Sequence, residues 1–317
     1  MGRIRHKIHA ALGDFRPVSM QLEVTNACNF RCVMCPFHGP EKASDRAVGF
    51  MSTDRYRSVL ESFRRLGGRF LIPQGAGESF LHPDFQEMLR IAVKTLGLDV
   101  GLNTNGSRLN EPMMTEILDL GIREIGFSVD ALDSDTFAAI TGGDLAPVEH
   151  AVETMVAMRD RRKLRYPRIR VLIVEQSANA SEIPGYIDRW LPVVDEVIVQ
   201  SRRINAGREL ETPRREQRRP CRHLFDTVFI QWDGDMVICC EDWESVTSIG
   251  NVFETPLADL WRSPVMQGYR LAQQQHRWAP PEICRHCEAW AGGRTVETVH
   301  SDRIEIAGAL TRSFRRK

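Results

Sequence analysis

Cys28-Asn29-Phe30-Arg31-Cys32-Val33-Met34-Cys35 is the stretch on which the fold turns. It follows an apolar run at 20–25 that reads as a β-strand. A short loop after a strand can aim three thiolates at a single iron–sulfur cubane. Three ligands leave the fourth iron open to a cofactor or a substrate. A structural zinc site takes four ligands, and His38 could supply the fourth, so zinc is the alternative that spacing leaves open.

Outward from this loop the chain alternates strand-like and helical stretches. Residues 53–66 carry Tyr56, Val59, Leu60 and Phe63 at helical spacing, with Thr53 as the expected cap. Strands are predicted at 69–74, 99–104, 124–129, 169–175 and 196–200. Helices are predicted at 83–96, 112–120, up to 160 and at 181–190. Six strands joined by helices imply a parallel, right-handed βα array, a partial (β/α)6 TIM-like barrel over residues 19–200 behind an N-terminal extension, 1–18.

The stretch 201–220 holds seven arginines and breaks the alternation. It reads as a solvated linker, with the alternative that some arginines, Arg202 and Arg203 first, point into an interdomain cleft. From Cys221 the character changes to a small α+β domain over 221–295. Strand-like runs at 227–231 and 236–240 flank Trp232-Asp233-Gly234-Asp235, a hairpin signal. Short helices are expected at 256–261 and 264–275, and the tail at 296–317, rich in arginine, is expected to fray.

Lys+Arg and Asp+Glu are equal at 42 each, so no overall field draws the chain to nucleic acid or an anionic membrane. No apolar run reaches the roughly 18 residues of a membrane span, and residues 1–16 lack the apolar stretch of a secretion signal. A cytoplasmic protein is expected. The eight cysteines form two groups, Cys28, Cys32, Cys35 and then Cys221, Cys239, Cys240, Cys284, Cys287. In a reducing compartment such clustering reads as metal or redox chemistry at two sites. A hairpin and the final Cys284-Arg285-His286-Cys287 could gather four thiolates, enough for a complete [4Fe–4S] cluster or equally for a zinc ribbon. Cys239 and Cys240 are adjacent on a predicted strand and so should point to opposite faces.

The first cysteine stretch resembles the CxxxCxxC motif of the radical S-adenosylmethionine (SAM) superfamily. That resemblance implies SAM chelated to the open iron by its amino and carboxylate groups, and a 5′-deoxyadenosyl radical formed by one-electron cleavage. Further matches follow in order. Gly75-Ala76-Gly77-Glu78 resembles the glycine-rich element whose backbone and acid take the methionine amino group, with Ser79 where proline is usual. Thr104-Asn105-Gly106 and Ser128-Val129-Asp130 close two strands at ends that face SAM or substrate in relatives. Singly each is ordinary turn chemistry; together they would gather on the C-terminal face, where βα barrels carry their sites.

Residues 221–295 are similar to a twitch domain, the shortened relative of the SPASM domain, through Trp232-Asp233-Gly234, Cys239-Cys240, Gly250-Asn251-Val252 and Leu260-Trp261. This implies an auxiliary [4Fe–4S] cluster on Cys221, Cys239, Cys284 and Cys287, hence two clusters in all. The combination resembles enzymes that oxidise a secondary alcohol of an aminocyclitol or aminoglycoside in antibiotic biosynthesis. Arg203 would then assist the substrate hydroxyl, and a flavodoxin or ferredoxin would supply electrons. An epimerase using Cys240 as hydrogen-atom donor and an enzyme that modifies ribosomal peptides are the alternatives.

Overall fold

Residues 15–40, 44–201, 218–242, 244–279, 281–285, 287, 295–308 and 311–317 are described in the computed structural model. Alternation along the strands builds the barrel wall. In β5, Arg168–Glu175, the side chains of Ile169, Val171 and Ile173 are fully buried against helices, while the intervening ones face the other way. The same period places Met20 and Leu22 of β1 (Ser19–Leu22), Val100 and Leu102 of β3 (Asp99–Thr104), and Val197 and Val199 of β6 (Glu196–Ser201) in the core. Each such side chain contributes about 1.5–3 kcal/mol by leaving water. Two more strands, β2 (Phe70–Ile72) and β4 (Glu124–Ser128), complete the six. All six are parallel, in the spatial order β1 to β6.

The helices cover the outer face. They are α1 (Thr53–Arg65), α2 (Phe85–Arg90), α3 (Glu111–Leu120), α4 (Ser134–Thr141), α5 (Leu145–Arg161) and α6 (Ile183–Trp190). Ser52, not Thr53, caps α1, accepting from the Arg55 N–H. Asn110 caps α3, and Gly121, at φ 70°, ends it in the left-handed conformation that glycine tolerates. The predicted helix over 83–96 is composite, with α2 running into a π-turn at Ile91–Thr95.

The second domain does not stand apart. After α7 (His223–Asp226), strand β7 (Thr227–Ile230) pairs in parallel with the free edge of β1, Ser19 opposite Thr227 and Leu22 opposite Ile230. Antiparallel β8 (Asp235–Val237) and β9 (Gly250–Asn251) extend the sheet, and α8 (Leu257–Trp261) and α9 (Pro264–Gln274) follow. A seam of side-chain contacts fixes this join. Trp232 donates from Nε1 to the Ala47 carbonyl at 3.3 Å, and its ring fills the place a β-carbon of Gly49 would take.

Two expectations are corrected. Strand β8 ends at Val237, so Cys239 and Cys240 lie in the bend after it and not on the strand. The C-terminal segment does not fray: β10 (Thr295–Val299), β11 (Arg303–Gly308) and β12 (Thr311–Arg316) form an antiparallel meander, with β12 on the edge of β6. Arg315 reaches Glu196 with two nitrogens, so the basic residues of the tail pair with barrel carboxylates.

Candidate active site

The first cysteine loop leaves β1 under several fixed hydrogen bonds. Thr25 Oγ1 donates to the Gly49 carbonyl and accepts from the Ala27 N–H, and Asn26 bonds both Gly49 and Ala47. Farther on, the Arg31 and Val33 N–H groups donate to Thr141 and Ile140 at the end of α4. Cys35 donates its N–H to Cys32, and the His38 N–H lies 3.3 Å from the Cys35 sulfur. The His38 ring turns Nε2 to the Asn26 carbonyl at 2.8 Å, where it closes the loop.

Cys28, Cys32 and Cys35 come together. Burial, then nearby Glu78 and Cys35, push the Cys28 thiol up to about 11. Burial raises Cys32 further, followed by Asp130 and the other two thiols. A pocket that holds two such raised thiols among acids makes them thiolates only with a positive centre to bind, the condition an iron–sulfur cluster meets. The donor set, three sulfurs and no fourth protein ligand from His38, fits a cluster with an open iron better than structural zinc.

The glycine loop is pressed onto this one. A β-carbon at Gly75 would fall 2.2 Å from Glu23 Cγ, and one at Gly77 would fall 2.4 Å from the Ala27 carbonyl oxygen. The Glu78 N–H donates to that same carbonyl at 2.8 Å. Its carboxylate is buried, accepting from Thr104 Oγ1, the Asn105 N–H and the Phe80 N–H. Burial raises its pKa against these donors. Glu78 therefore ties the glycine loop to the end of β3. Asn105 in turn donates to Asn29 inside the cysteine loop at 3.1 Å. Ser128 closes β4, and just beyond it the buried Asp130 accepts from the Val174 N–H. Glu78 and Asn105 are thus hydrogen-bonded to the first cysteine loop, and Asp130 lies close enough to Cys32 to raise its thiol. Arg202 and Arg203 lie outside the described residues.

The second group assembles from three segments of the chain. Cys221, Cys239, Cys284 and Cys287 line one small cavity, together with Arg218 and His223. Burial raises Cys221 to about 11 and Cys284 to about 12. Arg218, placed by sequence in a solvated linker, is buried and donates to the Cys284 and Arg285 carbonyls. Its guanidinium also stacks 4.5 Å from the Trp278 ring centre. Partners 60 or more residues away in the chain hold it there, so no local pattern showed its burial.

Cys239 and Cys240 do not point to opposite faces. Their sulfurs and a His223 ring nitrogen all lie within 4.8 Å of one another. The contact with Cys240 is the largest cause raising the Cys239 thiol, with burial next. They still differ in what they border. Cys239 lines the small cavity and also a larger cleft, whereas Cys240 lines the larger cleft alone of these two cavities.

That larger cleft measures about 490 Å³ and lies between the two cysteine groups. Met34 and Cys35 border it on the barrel side, Cys239 and Cys240 on the other. Glu23 and Arg46, neither singled out in the sequence, form part of its wall as an ion pair at 2.6 Å. Among the described residues no helix is long and apolar enough to cross a membrane.

Residues 22–167 match the radical SAM superfamily model, and residues 221–288 match the SPASM iron–sulfur cluster-binding domain. The chain is 26% identical over 319 residues to the tungsten-containing aldehyde ferredoxin oxidoreductase cofactor-modifying protein of Pyrococcus furiosus, covering 84% of this chain and 86% of that one. It is 35% identical over 143 residues to the GTP 3′,8-cyclase of Aeromonas hydrophila, 44% of this chain but only 41% of the cyclase. Among solved structures, BtrN in complex with AdoMet and 2-DOIA superposes with a TM-score of 0.58 at 18% identity, covering 86% of this chain and 93% of BtrN. Streptococcus suis SuiB bound to precursor peptide SuiA superposes with a TM-score of 0.67 at 14% identity, covering 84% and 69%. At these identities the structural likeness is one of fold. With one cysteine group under each domain match, the chain carries a radical SAM domain over residues 22–167 and, after it, an iron–sulfur cluster-binding SPASM domain of the twitch kind over residues 221–288.

Proposed function

We propose that this enzyme oxidises a secondary alcohol of an aminocyclitol or aminoglycoside-type substrate to the ketone. The observation that carries the reading is the single cleft bordered by Cys35 on one side and by Cys239 and Cys240 on the other. When bound, SAM and the cluster on Cys28, Cys32 and Cys35 supply a primary carbon radical, and a cluster on Cys221, Cys239, Cys284 and Cys287 supplies a one-electron acceptor. The alcohol gives up a carbon-bound hydrogen atom, the hydroxyl proton and one electron, which balances to the ketone.

The walls suit a small hydroxylated amine. About 490 Å³ falls within the range of small-molecule sites. Gln21, Gln74 and Gln200 bring amides and Glu241 a carboxylate to the wall, while the side chains of Gln231 and Asp242 are bonded within their own turn. Gln74 accepts from Asn103 Nδ2 at 2.6 Å, which leaves its own NH₂ for the cleft. BtrN holds AdoMet and 2-DOIA together on the same fold, which supports a second small molecule beside SAM here. We propose a flavodoxin or ferredoxin as the electron donor.

One observation favours a second reading. Cys240 lines the cleft, and its thiol could return a hydrogen atom to the opposite face of a substrate radical, as an epimerase requires. The test is anaerobic turnover of reconstituted protein with SAM, a reductant and a panel of aminocyclitols, aminoglycosides and peptides. A loss of two mass units from an aminocyclitol is expected. Unchanged mass with deuterium uptake from solvent would establish the epimerase, and turnover of peptides alone would overturn both.

A further inference from the structure

Arg218 stands between the two matched domains, only 7% exposed. The small cavity it borders is otherwise lined by Cys221, Cys239, Cys284 and Cys287, by His223 and Glu241, and by apolar side chains. Among the described residues of that lining it is the one arginine or lysine. Nη1 donates to the Arg285 carbonyl at 3.0 Å, Nη2 donates to the Cys284 carbonyl, and the guanidinium lies 4.5 Å from the Trp278 ring centre. The fork therefore grips the turn that carries Cys284 and Cys287. Both carbonyls and the ring are neutral groups, so they orient the guanidinium and leave its charge in place. Unlike Cys239, Arg218 does not border the larger cleft, so it acts through a cluster on the four cysteines and not on substrate.

A permanent charge buried beside four thiolates has an electrostatic effect of definite sign. Guanidinium does not lose its proton in proteins. A cubane is already negative through its thiolates, and reduction adds one more negative charge. A fixed positive charge therefore stabilises the reduced form more than the oxidised form, and the low dielectric of a buried site enlarges the difference. Net charge, hydrogen bonding and solvent exposure are what set the potential of such clusters. We infer that Arg218 raises the reduction potential of the second cluster and so makes it a better acceptor for the electron the alcohol gives up. The inference rests on the second cluster proposed above, and not on which substrate is turned over.

The experiment is an anaerobic redox titration of the holoenzyme followed by electron paramagnetic resonance, reading the cluster signal that added SAM leaves unchanged. Metal analysis of the parent comes first: zinc in place of the second iron set would overturn the proposed cluster and this inference together. Coulomb attraction at an effective dielectric of about 20 gives a tenfold effect out to about 12 Å. Arg218→Gln, with full iron, should therefore lose about tenfold in the reduction equilibrium, which is about 59 mV for a one-electron couple. Arg218→Lys keeps the charge but not the fork, and should stay within about threefold of the parent. An unchanged potential in iron-replete Arg218→Gln would overturn the inference and leave the cluster assignment intact. So would an equal shift in Arg218→Lys, which would trace the effect to the carbonyl bonds and not to charge. Should Arg218→Gln fail to hold the second cluster, Arg218→Lys decides. A retained cluster at the parent potential supports the charge; a shifted potential, or loss of the cluster there too, marks a purely structural arginine and overturns the inference.

Discussion

Gly77 stands against Ala27 so closely that a β-carbon at position 77 would lie 2.4 Å from the Ala27 carbonyl oxygen and 2.6 Å from the Asn26 carbonyl carbon. These are backbone atoms, and no rotamer change can move them aside. Gly77→Ala should therefore lift the glycine loop off the cysteine loop and break the Glu78–Ala27 backbone bond. The expected cost is about 1–3 kcal/mol of stability, as for other overpacked sites, with clearly weaker SAM binding. Thermal melts and SAM titrations of the variant measure both; unchanged SAM affinity would show that the contact is not part of the cofactor site.

The seven cysteines assigned here as ligands, in two groups, predict the iron content. Reconstituted protein should bind about eight irons as two cubanes, and changing Cys28, Cys32 and Cys35 together to Ala should leave about four. Deoxyadenosine formation should disappear in that variant. Iron analysis and electron paramagnetic resonance of anaerobic samples decide the matter, and stoichiometric zinc in place of the second iron set would refute the second assignment.

Cys239 and Cys240 should behave differently although their sulfurs are close. Cys239→Ala removes a sulfur from the small cavity, so about four irons should be lost and alcohol oxidation with them. Cys240→Ala trims a residue of the larger cleft and should keep both clusters and most turnover. Continued deoxyadenosine formation without product in Cys240→Ala would instead identify it as the hydrogen donor of an epimerase.

Asp130 predicts a pH effect in the metal-free protein. Burial pushes its carboxyl up to about 6, against the Val174 N–H that favours ionisation. The folded chain then keeps a proton that the unfolded chain has lost, so the stabilisation is complete below about pH 4 and fades as pH rises through 6. Asp130→Asn cannot ionise and still offers Val174 an oxygen. Its stability relative to the parent should rise between pH 4 and 7, by up to about 3 kcal/mol at neutral pH. Urea midpoints across that range check the sign; a flat difference would place the titration elsewhere.

Much of this protein was legible in the chain because its information is local. Three cysteines in eight residues need no distant partner to be recognised. Strand periodicity separated the buried Ile169, Val171 and Ile173 from the residues between them, and six such runs with helices between allow one right-handed parallel order. The glycine loop, Asn105 and Asp130 were visible for the same reason, as turn residues at successive strand ends.

Tertiary structure decided whatever depends on partners far apart in sequence. Hairpin signals could not reveal that β7 continues the barrel sheet beside β1, nor charge in the tail that β12 would pair with β6. Adjacent cysteines suggested opposite faces only while a strand was assumed; the chain bends after Val237, and the two sulfurs meet. Glu23 and Arg46 are 23 residues apart and look unremarkable singly, yet the return of the loop to β1 makes them a buried pair in the cleft wall. Sequence by itself determined which side chains could carry the chemistry, because backbone periodicity and ligand spacing are short-range. Which of them share a cavity was decided by long-range packing, since a contact across the sheet leaves no mark on either residue's neighbours.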